Sequence, residues 1–249
     1  MICTLDIGNS HIYTIVYDQN KTIVLEDRTE TLRENNSEFY QNFFKKQKEA
    51  IGQNVEIVMI SCVVPSILET VMEAADSIYH CPVISINPNN VDLTIHLDNP
   101  NELGADFIAG TYGAIAQYEM PVIIIDMGTA SKISVVGHDH HFLGGIIQPG
   151  VGQQAKILNQ NIPHLPKIEL EVPKKVIGNN TIECIQSGIL HGALLGLISM
   201  AKEIEKELDE PSKILLTGGY INLYDNLYGY EFNPYLINEG LYYLAQERI

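Results

Sequence analysis

The sequence predicts a duplicated α/β fold with a cleft between its two halves, and two observations carry that expectation. Residues 2–18, ICTLDIGNSHIYTIVYD, return in altered form at 122–139 as VIIIDMGTASKISVVGHD. The elements expected after each copy also come in the same order, and self-similarity in a fixed order is stronger than a single shared motif. Each copy opens on an apolar run of strand character and ends it in aspartate, Asp6 or Asp126. A tight glycine turn follows, Gly8-Asn9-Ser10 in one and Gly128-Thr129-Ala130-Ser131 in the other, and then a second β-rich run.

The first half continues with a third strand at 22–26 and a polar helix at 37–51. An apolar strand at 55–61 ends in Ser61-Cys62-Val63-Val64-Pro65-Ser66. Residues 87–101 hold Pro88, Pro100 and five asparagines, with a short β-like piece at 92–97. Asn99, Pro100 and Asn101 start a helix whose apolar face is Leu103, Phe107, Ile108 and Tyr112. The junction is placed in that helix, so the expected halves are 1–115 and 116–249. Tyr118-Glu119-Met120-Pro121 makes the turn into the second copy.

The second half repeats the order. A third strand falls near Phe142, a long helix follows, and the strand 213–216 ends in Thr217-Gly218-Gly219. Residues 188–201, apolar but interrupted by His191, read as a buried helix. Seven tyrosines between 220 and 243 read as core and subunit packing.

Composition excludes several classes. The 249 residues are 45% hydrophobic, enough for a sizeable core. Fifteen basic residues against 31 acidic ones give a formal charge of −16, which repels a phosphate backbone, so no nucleic-acid partner is expected. No apolar run reaches the ~20 residues that span a bilayer, and no basic-then-apolar leader is present, so a cytoplasmic protein without a membrane partner is expected. Cys3, Cys62, Cys81 and Cys184 are scattered without metal-type spacing and read as buried thiols.

The aspartate turns suit phosphate and metal chemistry. A carboxylate at a strand end can hold a cation, and glycine lets backbone N–H groups approach phosphate oxygens. Asp106, in the first turns of its helix, suits a general base toward a hydroxyl, or simply the positive end of that helix. Four glycines within 144–152 suggest close approach of backbone to a ligand or to a tightly packed partner. His138, His140 and His141 fall at an expected hairpin tip, which favours a solvated turn over a metal site.

Taken in order, the motifs carry a resemblance. DIGNS at 6–10, ISCVVPS at 60–66, DNPNELGAD at 98–106 and DMGTAS at 126–131 are followed by LGGIIQPG at 143–150. KVIGNNTIECIQSG at 175–188, TGG at 217–219 and NPYLINEGLYYL at 233–244 complete the set. The chain resembles the type III pantothenate kinases of the actin/sugar-kinase/Hsp70-like superfamily. The resemblance implies a duplicated ribonuclease-H-like (actin-like ATPase) fold and a homodimer. It implies ATP-dependent phosphorylation of pantothenate, the first committed step toward coenzyme A, with Mg²⁺ and a monovalent cation, K⁺ or NH₄⁺. By position it makes Asp6 a holder of magnesium-bound phosphates, with Gly8, Asn9 and Ser10 in the phosphate turn. Asp126 stands near the cation. Gly128, Thr129, Gly218 and Gly219 lie on the nucleotide side. Asp106 is the catalytic base, and Gly104, Phe107 and Thr181 lie toward the acceptor.

The chain departs from the family pattern on the expected acceptor side. Phe107 stands where arginine is usual, Leu97 where tyrosine is usual, and Lys132 and Ser134 where a hydroxyl and an aspartate are usual. Arginine to phenylalanine removes a permanent cation and its fork of donors, so weakened pantothenate binding is expected. Lys132 would restore that charge if it lay close to Phe107. Two other readings stay open: a kinase of this fold for another small hydroxy compound, and a catalytically weak nucleotide-binding or regulatory relative.

Overall fold

The computed structural model describes residues 1–32, 34 and 36–249. In chain order the elements begin with strands β1 (Ile2–Ile7), β2 (His11–Tyr17) and β3 (Ile23–Glu30), then helix α1 (Ser37–Ile51). Next come β4 (Ile57–Cys62), α2 (Pro65–Tyr79), β5 (Val83–Ser85), β6 (Thr94–Ile95) and α3 (Ala105–Ile115). The second series is β7 (Val122–Met127), β8 (Ala130–Gly137), β9 (His141–Pro149), α4 (Val151–Asn161) and α5 (Thr181–Gln186). A π-helical turn, Ser187–His191, leads into α6 (Gly192–Leu208), β10 (Lys213–Thr217), β11 (Glu231–Phe232) and α7 (Leu236–Gln246).

Two compact units result, Met1–Gln117 with Tyr235–Ile249, and Tyr118–Pro234. In the first the strand order is β3-β2-β1-β4-β5, and in the second β9-β8-β7-β10-β11 follows the same plan. In both, the first three strands pair antiparallel and the rest parallel. Even the irregularity recurs: the register slips at Val16/Tyr17 in one unit and at Val135/Val136 in the other. The predicted duplicated α/β fold is therefore observed. The expected third strand at 22–26 runs longer, to Glu30, and the helix at 37–51 has the bounds expected of it.

Local chemistry explains the boundaries. The Asn36 side chain accepts from the Phe39 N–H at 3.0 Å and starts α1. Gly52, at φ 64°, ends it in the left-handed conformation that glycine adopts without a Cβ clash. Pro65 opens α2, where its missing N–H costs nothing. Alternation along β1 sends Cys3, Leu5 and Ile7 into one buried cluster with Tyr40, Phe44, Ile67 and Val71 of α1 and α2. Thr4, on the opposite face, accepts from the Asn238 side chain of α7 at 3.0 Å.

That second buried face corrects one expectation. Residues 235–249 were assigned to the half 116–249, but α7 packs on β1, β4 and α3 and groups with the first unit. An apolar central strand needs cover on both faces, and α7 supplies the second. Lys21 anchors it by an ion pair with Glu239 at 2.7 Å. The approach of α7 to α3 is close: a Cβ on Gly240 would stand 1.8 Å from the Ala109 carbonyl oxygen and 2.8 Å from the Gly113 nitrogen. Gly240→Ala should therefore destabilise, although alanine is the better helix former by ~1 kcal/mol. Overpacking against backbone costs up to ~3 kcal/mol, which outweighs that gain. A net loss of ~2 kcal/mol should lower the melting temperature by about 4–8 °C for a chain of this size. An unchanged melting curve by circular dichroism would refute the contact.

In the second unit, Ile189, Leu190, Ala193, Leu194, Leu197, Ile198 and Ala201 face the sheet residues Ile123, Ile125 and Leu216 in one cluster. The continuous helix 181–208, at 28 residues, is long and apolar enough to cross a membrane by length and composition, and half of its most apolar window is buried inside the unit. The sequence suggested a shorter helix at 188–201; α5, the π turn and α6 are continuous over 181–208. Ser187 Oγ donates to the Val176 carbonyl, and the His191 ring meets the Pro173 carbonyl at 2.8 Å, so the π turn is tied to the preceding loop.

Candidate active site

The first aspartate turn follows β1. Asp6 is the last but one residue of that strand, half-buried, paired across to Tyr13 on β2 and to Ser61 on β4. The Gly8 N–H donates to the His11 carbonyl at 3.0 Å, closing the turn, while Asn9 and Ser10 are exposed. A Cβ on Gly8 would stand 3.3 Å from that same carbonyl. Thr31 braces the turn from below, donating through Oγ1 to the Gly8 carbonyl at 2.7 Å and through N–H to the Ser10 carbonyl at 3.0 Å. Burial, with the Asp6 charge adding to it, pushes the Cys62 thiol above its ordinary range.

The second aspartate turn follows β7 and is built more tightly. The Gly128 N–H donates to the Ala130 carbonyl at 3.2 Å, and the Gly150 N–H donates to the Thr129 carbonyl at 3.2 Å. Gly150 lies so close that a Cβ would meet the Gly128 and Thr129 carbonyl oxygens at 2.3 and 2.4 Å. Gly218 closes the other side. Its φ is +94°, and a Cβ there would fall 2.4 Å from Asp126 Oδ1 and 2.6 Å from the Met127 nitrogen. Only glycine fits by both conformation and space. The Gly218-Gly219 turn after β10 and the Asp126 turn after β7 are thus in direct contact.

Asp126 carries an ion pair that motif reading missed. Lys132 stands directly opposite it in the β7–β8 register, and its Nζ is 3.0 Å from Asp126 Oδ2. The two side chains are only 12% and 13% exposed. The hairpin register contained the signal, since a six-residue offset around a short turn makes the two residues cross-strand neighbours. The ion pair ties Lys132 to Asp126 within one hairpin.

Asp106 sits in the first turn of α3, as expected, behind Gly104 as N-cap. Its Oδ1 accepts from the Phe107 N–H at 2.9 Å. A Cβ on Gly104 would lie 2.6 Å from the same oxygen, so Gly104 leaves room for the carboxylate. Phe107 is 9% exposed and belongs to the buried side of the helix. Thr181 is exposed at the first position of α5, where the Asn180 side chain accepts from the Glu183 N–H at 3.0 Å and Glu183 reaches back to the Asn179 N–H at 2.8 Å.

Other expectations resolve differently. Of the glycine-rich run, Gly144 and Gly145 lie inside β9, and Gly150 and Gly152 are packed against protein, Gly152 beside the Tyr220 hydroxyl. An open groove of about 450 Å³ under α4 includes Gly152, Leu158, Leu170 and Ile185, and none of the aspartates. His138 is at the hairpin tip and pairs with Glu210 at 3.2 Å. Among the described residues no group of three or more His, Cys, Asp or Glu side chains could hold a metal ion. All four cysteines are free; Cys3 is buried and Cys184 is exposed, against the expectation of four buried thiols. Of the seven C-terminal tyrosines, Tyr224 and Tyr242 are buried.

Two sheets of one plan, each with an aspartate one residue before the end of its first strand and a glycine turn after it, make up the fold shared by actin-like ATPases and sugar kinases. A glucokinase of the ROK family from Streptomyces griseus, solved with glucose and AMPPNP, superposes with a TM-score of 0.52 at 15% identity, over 98% of this chain and 99% of that one. Residues 2–203 match the family model for type III pantothenate kinase. A type III pantothenate kinase of Shouchella clausii is 35% identical over 231 residues, 90% of each chain. One from Halalkalibacterium halodurans is 31% identical over 227 residues, covering 90% of this chain and 89% of its own. The chain belongs to the type III pantothenate kinase family.

Proposed function

We propose that this chain transfers the γ-phosphoryl group of ATP to the hydroxyl of pantothenate, the first step toward coenzyme A. Membership of the family is the observation that carries the reading; the matched stretch includes both aspartate turns and Asp106. Phosphoryl transfer asks for charge neutralisation, alignment and an oriented hydroxyl rather than covalent help. Asp6 is the carboxylate for the magnesium-bound phosphates, and Gly8, Asn9 and Ser10 present the turn to their oxygens. Gly128 and Thr129, with Gly218 packed against Asp126 and Gly219 after it, serve the nucleotide. Asp106 accepts the proton of the acceptor hydroxyl, with Gly104, Phe107 and Thr181 toward the acceptor.

The donor set fits magnesium at Asp6. Mg²⁺ is commonly held by one or two carboxylates together with phosphate oxygens and water, and a half-buried strand-end aspartate before an exposed turn offers one such ligand. A metal ion held there would supply charge neutralisation at the phosphates. Asp126 fits a metal ion less well, because its carboxylate is already matched by Lys132 at 3.0 Å.

A homodimer is part of the proposal. Ile182, Leu195 and Met200 are exposed on the long helix, and Val176 and Ile177 of the preceding loop are 58% and 80% exposed. Such apolar surface is covered economically by a second copy. Light scattering on the purified protein should give twice the 27.8 kDa chain mass. A cytoplasmic enzyme without nucleic-acid or membrane partners is the accompanying reading. A kinase of this fold for another hydroxy acceptor remains the alternative, favoured by Phe107, a buried phenyl ring where an arginine would offer donors. ADP release should depend on added pantothenate and yield its 4′-phosphate by mass spectrometry. ADP release that ignores pantothenate but responds to another alcohol would transfer the assignment to that acceptor.

A further inference from the structure

We propose that Lys132 is a built-in cation for the second aspartate turn, standing where a potassium or ammonium ion would otherwise meet Asp126. The inference rests on the reading of the chain as an ATP-dependent kinase. Its basis is geometric. Asp126 and Lys132 face each other across the β7–β8 pair, with Nζ 3.0 Å from Oδ2 and both side chains nearly out of solvent. The other carboxylate oxygen, Oδ1, abuts the backbone of Gly218, where even a methyl group would come within 2.4 Å. Oδ2 is thus held by an ammonium group and Oδ1 is backed by main chain.

A metal ion coordinated here would have to displace the lysine or lie beside it. Displacement would leave a nearly buried ammonium without its carboxylate, and two neighbouring cations repel strongly where water is scarce. The lysine head group also has the chemistry of the ion it replaces. An ammonium ion offers N–H donors on one unit charge, and the side chain offers three on the same charge. Tethering removes the entropic cost of capturing a free ion, so the turn keeps its charge balance at any salt composition. The cation is then supplied by the chain, and added monovalent ions become dispensable for nucleotide binding at this turn.

The test compares the full-length wild type with Lys132→Thr in potassium chloride and in choline chloride at equal ionic strength. MgATP affinity by calorimetry and melting temperature are both read, without pantothenate. The wild type should show the same affinity and melting temperature in the two salts. Lys132→Thr should bind MgATP about tenfold more weakly in choline, a change of about 1.4 kcal/mol, and recover both affinity and melting temperature in potassium. Lys132→Arg, which keeps a cation, should remain indifferent to the salt. A wild type whose affinity or melting temperature rises with potassium overturns the proposal, and that arm needs no variant to fold. A Lys132→Thr protein indifferent to potassium overturns it as well. Because no acceptor is present, a failure of the pantothenate assignment would leave these outcomes unchanged. A wild type that turns over pantothenate only in potassium would defeat the lysine proposal alone.

Discussion

Asp6→Asn and Asp126→Asn should each slow phosphoryl transfer by about 10²–10³-fold, the range seen when one preorganised electrostatic group is removed from a catalytic site, and only Asp126→Asn should also lower stability. The two turns look alike in sequence, and the structure separates them. Asp6 lies beside an exposed turn held by backbone hydrogen bonds and by Thr31. An asparagine there keeps the shape and removes the charge that we propose bears on the phosphates, so the melting temperature should stay within about 2 °C, less than the shift from ~1 kcal/mol. The Cys62 thiol supplies an independent readout. Burial and the Asp6 charge both raise it, so its alkylation by iodoacetamide should quicken in Asp6→Asn.

Asp126→Asn acts on a pair whose side chains are 12% and 13% exposed. Removing one member of a buried pair costs ~3–5 kcal/mol because the other charge is left behind. The remaining exposure of Lys132 reduces that to about 2–3 kcal/mol. The melting temperature should then fall by about 4–12 °C. Asp126→Asn combined with Lys132→Met should recover most of the lost stability without recovering activity. If both single variants keep wild-type turnover, the turns are structural. If Asp126→Asn melts like the wild type, the ion pair contributes nothing to the fold.

The contrast shows what was legible in the sequence. The repeat of residues 2–18 at 122–139 implied two related units, and the shared strand order and shared register slip agree with it. Motif spacing located both aspartates and placed Asp106 in the first turn of α3. The assignment of α7 was not legible, because its pattern Leu236, Leu241, Leu244 and Ala245 shows that one face is buried and not against what. The glycines divided by cause. Gly218 and Gly150 admit no side chain because backbone or carboxylate atoms crowd the Cβ position, whereas Gly144 has open space and needs only its φ of +143°. Composition alone does not separate those cases. Phe107 was read as a missing donor, and the fold adds that its ring is part of the core at the start of α3. Lys132 became interpretable only with the register, which turned an isolated departure into half of a cross-strand pair.

Asp106→Asn should lower kcat by about 10²–10⁴-fold, the usual contribution of a positioned general base, while the fold and MgATP affinity stay as they are. The substitution is conservative at this position. Asp106 Oδ1 accepts from the Phe107 N–H at 2.9 Å, and an asparagine carbonyl oxygen can accept the same bond. The loss of a negative charge in the first turn of α3 costs ~0.3–1 kcal/mol through the helix dipole, too little to unfold a chain with this core. The amide cannot take the proton from an attacking hydroxyl, so the deficit belongs to the chemical step. Asp106→Glu keeps a base but lengthens the side chain by one methylene. Glutamate should restore little, because the extra methylene moves the carboxylate from the place set by the Phe107 N–H. Single-turnover measurement of phosphopantothenate formation separates this from a binding defect. A lower kcat at unchanged MgATP affinity identifies the base. Wild-type kcat in Asp106→Asn would leave Asp106 the other role weighed from the sequence, a carboxylate that stabilises the start of its own helix.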